Sequence, residues 1–124
     1  MPDDGPLPDH LDEGASLFRG GDYFEAHEAW EHAWHDADGT DRTFLHGLIQ
    51  LAAAYVNLER GNPEGVERLS ERALERLDGV PDRYRGVDVA AVRRQLRENA
   101  ERARDAVTDD RVLVLRRPTL VVED

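Results

Sequence analysis

An all-α fold, a bundle of two stacked helical hairpins with a fifth helix and a short extended C-terminal tail, is predicted by three observations. Apolar residues recur at the three- and four-residue spacing of helices over most of the chain. Breaks containing Gly, Asn or Pro cut that pattern into segments of helical length. Two of the segments also resemble each other. GDYFEAHEAWEHAW (Gly21 to Trp34) aligns without gaps on GNPEGVERLSERAL (Gly61 to Leu74), matching Gly21 to Gly61, Glu31 to Glu71, Ala33 to Ala73 and Trp34 to Leu74. Each copy follows a helix, so each belongs to a helix–Gly turn–helix hairpin. Such hairpins resemble tetratricopeptide units, whose usual period is shorter, about 34 residues.

The elements follow in order. Residues 1–8 combine Gly, Pro and Asp and are expected to be disordered, leaving 9–124 as a single helical domain. A first helix is predicted from about Asp9 to Arg19, with Leu11, Ala15 and Phe18 inward, ended by Gly20-Gly21. Asp22 is a candidate N-cap for a second helix from Tyr23 to Asp36. DADGTDR reads as a polar loop, and a third helix, from Thr43 to Arg60, is apolar on nearly every side and so central. Gly61 stops it, while Asn62 and Pro63 cap and begin a fourth helix running to Leu77, with Val66, Leu69, Ala73, Leu74 and Leu77 inward. GVPDRYRGVD reads as a loop ending in the cap candidate Asp88. A fifth helix then spans Val89 to Val107, with Val92, Leu96, Ala100, Ala103 and Val107 inward. RVLVLRRPTLVVED has β character, and Pro118 restricts it to an edge strand or an extended strap.

Composition narrows the function classes. A chain of 124 residues is one domain, burying roughly two-thirds of its unfolded surface. The longest apolar run, Leu48 to Val56, is about half of what a membrane helix needs. The N-terminal residues lack a basic start and an apolar stretch, so no secretory signal is read there. Cysteine is absent, which excludes disulfides and thiolate chemistry and suits the cytoplasm. Acidic residues number 27 against 16 basic ones, for a net charge of −11, and every basic residue is arginine. This matches the acidic, lysine-poor pattern of salt-loving archaea, whose molar salt shortens the Debye length to about 3 Å and screens self-repulsion. GC-rich codon usage produces a similar bias. Neither nucleic acid, which requires a basic face, nor a membrane is expected as a partner.

The second helix carries the most chemistry. On a wheel of about 100° per residue, Tyr23, Phe24, His27, Trp30, Glu31 and Trp34 share one broad face, with Glu28 at its flank. His27 and Glu31, at i and i+4, can meet. The spacing H-E-x-x-E is similar to the H-E-x-x-H zinc motif but supplies only two ligands. The third helix adds a narrow polar line of His46, Gln50 and Asn57. If that line faces the second helix, His27, Glu28, Glu31, His46 and Gln50 converge in a largely dry interior. Such a cluster suits a structural polar network, a divalent transition-metal site using His27, Glu31 and His46, or an acid/base pair. Trp30 and Trp34 read as core residues or, if partly exposed, as the wall of a groove. No phosphate loop, nucleophile elbow or dinucleotide fingerprint is present, and no catalytic residue can be named.

GDYFEAHEAWEHAW, then FLHGLIQLAAAYVNLERGN, then the helix from Gly65 to Leu77, resemble the family catalogued as domain of unknown function 309. The resemblance covers residues 14–78, and the composition suggests a haloarchaeal-type member. It implies a small all-helical domain without a settled activity. Its recurrent polar positions correspond to Glu25, His27, Glu28, Glu31 and Gln50. The chain departs from the family at His46, where Gln is more usual, and at Asn57, where His is frequent, which weakens a shared metal site. Three readings remain open: a scaffold or interaction module receiving a peptide or protein partner, a metal-dependent hydrolase, and a structural homo-oligomer. The first predicts Trp30 or Trp34 exposed beside a concave surface, and the third predicts His27 and Glu31 buried and mutually bonded.

Overall fold

The computed structural model describes residues 7–116 and 120–123. Five helices dominate: α1 (Leu7–Arg19), α2 (Tyr23–Asp36), α3 (Gly39–Glu59), α4 (Pro63–Leu77) and α5 (Val89–Asp109). Each packs on its sequence neighbour, with α3 between α2 and α4 and α5 against α4. The core gathers Leu11 and Phe18 of α1, Trp30 of α2, Phe44, Leu48 and Tyr55 of α3, Leu77 of α4 and Leu96 of α5.

The two predicted hairpins are joined by the same turn. Asp22 N–H donates to Leu17 O and Gly21 N–H to Phe18 O; Asn62 N–H donates to Asn57 O and Gly61 N–H to Leu58 O. This pair of hydrogen bonds, with a left-handed residue just past the helix, satisfies carbonyls that a helix end leaves unpaired. Gly21 and Gly61 supply the left-handed position at φ +88° and +69°. The sequence repeat therefore corresponds to a repeated helix-ending motif. Asn62 caps α4 through Gly65 N–H, and Asp88 caps α5 through Ala91 N–H, whereas the Asp22 side chain makes no cap bond.

Several boundaries move. α1 already includes Leu7 and Pro8, so the expected disorder over 1–8 does not hold at its end; residues 1–6 lie outside the described residues. The loop before α3 shortens to Ala37 and Asp38, because Gly39 to Arg42 join the helix. Within 78–88 an antiparallel pair forms, β1 (Arg83–Tyr84) with β2 (Val87–Asp88), where a plain loop was expected. On α5 the inward face carries Asn99 and Ala106, and Val107 turns outward.

The tail is extended at its end: Val122 bridges Val87 and Glu123 N–H donates to Gly86 O. Leu120 is buried, and its carbonyl accepts from Arg19. Pro118 lies outside the described residues. The Tyr55 hydroxyl joins three elements: it accepts from Gln95 at 2.8 Å and Asn99 at 3.1 Å, and donates to Arg116 O at 3.2 Å. Burial raises its pKa, so it stays a neutral donor and acceptor.

Candidate functional site

α2 turns a different face inward from the one its aromatic residues suggest. Its buried residues are Ala26, Ala29, Trp30 and Ala33. At about 100° per residue, His27 and Glu31 lie roughly 110–150° round the helix from the centre of that line, at the surface. Their side chains are 25% and 47% exposed. Glu28 is exposed, and Phe24, which shares the aromatic face, is 53% exposed with the His27 ring stacked parallel to it. The expected dry His/Glu interior is therefore replaced by a partly open seam.

Contacts at both ends set the register of that seam. Trp34 meets His46 at a ring-centroid distance of 5.8 Å, and Tyr23 meets Tyr55 at 5.1 Å. Gln50, one turn beyond His46, then lies level with Trp30 and Glu31, and His27 lies a further turn along α2. Asn57 does not join this line. Its amide donates to Ala53 O and its carbonyl oxygen accepts from Asn62, so it serves the α3–α4 turn.

Trp30 is fully buried, its indole N–H donating to Leu11 O, and Gly14 on α1 leaves room for the ring. It is core, not a groove wall. Trp34 is half-buried, with the Arg42 guanidinium 3.7 Å from the ring centroid. Arg42 also donates to Trp34 O and Ala37 O, closing the end of α2. Sequence reasoning missed Arg42 because it lay in the expected loop, and no local pattern announces a cation over a ring eight positions back. It missed Asn99 too, although its i+3 spacing from Leu96 on the buried stripe was a usable signal.

Three polar atoms on the seam are buried without a hydrogen-bond partner: His27 Nδ1, Trp34 Nε1 and Gln50 Oε1. His27 Nδ1 is 3.4 Å from Glu31 Oε1, near enough for attraction but not aligned as a hydrogen bond. Gln50 as a residue is only 9% exposed. Burial, then the charges of Arg76 and Arg42, hold His46 below the ordinary imidazole range. His27, Glu31 and His46 do not form a ligand set. Among the described residues no three His, Cys, Asp or Glu side chains are placed to share an ion. Glu31 points out from α2 while His46 is taken up by Trp34 and its cationic neighbours.

A small hairpin-built helical domain with an open polar seam is the class that fold and site define. Over residues 11–69 the chain matches the family described as "Domain of unknown function (DUF309)". It is 29% identical over 89 residues to an uncharacterized protein of Aquifex aeolicus (strain VF5), covering 71% of this chain and 27% of that protein. The chain thus spans about a quarter of that relative's length. It also resembles the crystal structure of a conserved hypothetical protein from Thermus thermophilus, with TM-score 0.63 and 36% identity, over 72% of this chain and 93% of the other.

Proposed function

We propose that this protein is a helical interaction module whose α2–α3 seam binds a polar segment of a partner polypeptide. The observation that carries the reading is the set of unpaired buried atoms at His27, Trp34 and Gln50. Buried donors and acceptors that find no partner within a chain take one from outside it, whether water or ligand. Ser70 Oγ and Asn99 Oδ1 are unpaired as well, but singly and on α4 and α5, whereas the seam gathers three such atoms between α2 and α3. The indole N–H and the Gln50 carbonyl oxygen offer one donor and one acceptor, which a peptide backbone complements. Glu28 and Glu31, on the seam side of α2, favour a basic segment, and the exposed Phe24 ring adds apolar contact.

The 27% coverage of the Aquifex relative supports a module that is also carried within a longer chain. No described helix is long and apolar enough to cross a membrane. The cysteine-free composition supports the cytoplasm as the compartment, and the lysine-free acidic surface supports adaptation to high salt.

Peptide display on the wild type, counter-screened on Trp34→Phe/Gln50→Leu, tests the assignment. Selected peptides should be rich in Lys or Arg and bind the double variant at least about tenfold more weakly, the worth of one or two hydrogen bonds. Peptides that bind both proteins equally place the binding face elsewhere.

A further inference from the structure

The segment that follows α5 takes no part in the seam, yet it holds the most exposed large apolar side chains among the described residues: Val112 at 88% and Val114 at 72%. Burial alternates along it. Val112, Val114 and Arg116 face out, whereas Leu113 and Leu115 are half-buried, which is the period of two of a strand. No backbone N–H or C=O group from Val112 to Leu115 has a hydrogen-bond partner among the described residues. A β-branched segment with unpaired backbone groups is a template for adding another strand. Open space borders it. A cavity of about 630 Å³ separates it from the α3–α4 turn, walled by Leu58, Pro63 and Val107. A second, of about 480 Å³, lies towards Glu98, Arg102 and Asp105 of α5.

We propose that a second copy of this chain pairs with residues 111–116 as an antiparallel strand, forming a homodimer. A two-fold interface places the same patch on both copies, so the segment must complement itself. It does so in the register centred on Leu113. Each Leu113 meets its counterpart, each Val112 stands opposite Val114 of the second copy, and Arg116 comes level with Asp110 of the second copy. Centring on Val114 instead sets Val112 against Arg116, keeps one valine pair where the first register has two, and loses the charge match. Charge does not oppose this place: Arg111 and Arg116 frame the segment and pair with Asp109 and Glu98, so in a chain of net charge −11 these acids are offset beside the strand. A stable dimer buries roughly 1,200 Å² or more. One short strand pair falls below that, so the walls formed by Leu58, Pro63 and Val107 complete the contact and the dimer dissociates on dilution.

Size exclusion with light scattering on the full chain, from low to hundreds of micromolar, reads the outcome. The wild-type mass should rise from 14.0 kDa towards twice that value with concentration. Val114→Pro, which removes one amide at an exposed position, should stay monomeric while keeping its helical circular dichroism. The absence of cysteine permits a register test. With oxidised glutathione, an equal mixture of Val112→Cys and Val114→Cys should cross-link faster than either protein alone. A wild type that is monomeric at every concentration overturns the proposal and leaves the strand for a different protein. A Val114→Pro variant that dimerises like the wild type, or cross-linking rates that do not differ, overturns it equally.

Discussion

Trp30 and Trp34 stand one turn apart on α2 and do opposite things. Trp30 fills the centre of the core, with its N–H satisfied by Leu11 O. Trp30→Ala should cost about 3–5 kcal/mol in denaturant unfolding, from the cavity left and the carbonyl stranded. Trp34 keeps an unpaired N–H beneath a cation-covered ring. His46, pressed against it, makes its own prediction. The folded state holds this imidazole below its ordinary value of 6.5, so it binds the proton less readily than the unfolded chain does. Stability is then lost as pH falls through 6.5 towards the lower folded value. His46→Gln removes that loss, so its Tm should fall less than that of the wild type between neutral and mildly acid pH. Equal pH profiles would show that His46 is not held neutral.

At the scale of elements, punctuation was the most legible signal. Gly21 and Gly61 announced both hairpin turns, and Asn62, Pro63 and Asp88 announced the starts of α4 and α5. The β1–β2 pair was not legible, because its turn uses Arg85 at φ +49°, a conformation that favours Asn or Gly. What holds Arg85 there is a two-bond ion pair with Asp41 on α3, a partner far away in sequence. The inward face of α2 was misjudged for a related reason. A helical wheel ranks bulky rings above alanine, whereas close packing against α1 and α3 selects the small Ala26, Ala29 and Ala33 around one Trp. Rotation of that face is what carried His27, Glu28 and Glu31 to the surface. The β1–β2 turn also anchors the tail. Gly86 has φ +80°, and a Cβ there would collide with Glu123 O. Gly86→Ala should therefore release residues 120–123, read as faster amide exchange at Glu123 with α1–α4 unchanged. Protection retained at Glu123 would contradict this anchoring.

For the molecule as a whole, charge is the dominant surface term. Arg104 bridges Glu67 and Glu71 between α5 and α4, and Arg85 pairs with Asp41. Exposed pairs of this kind are worth only about 0–1 kcal/mol each. An excess of 11 negative charges outweighs them, so added KCl should raise Tm at neutral pH by screening repulsion faster than it weakens the pairs. A Tm that falls with salt would mean that the ion pairs dominate. In the α2–α3 seam the unpaired atoms are assigned to binding and not to the fold. Denaturant unfolding of Gln50→Leu tests this without knowledge of any partner and leaves the Arg42–Trp34 contact intact. Removing a buried polar atom that has no partner is neutral or stabilising, so the midpoint should stay or rise. A loss of about 1 kcal/mol or more would show the Gln50 oxygen already satisfied within the folded chain, and the seam would then be a structural network.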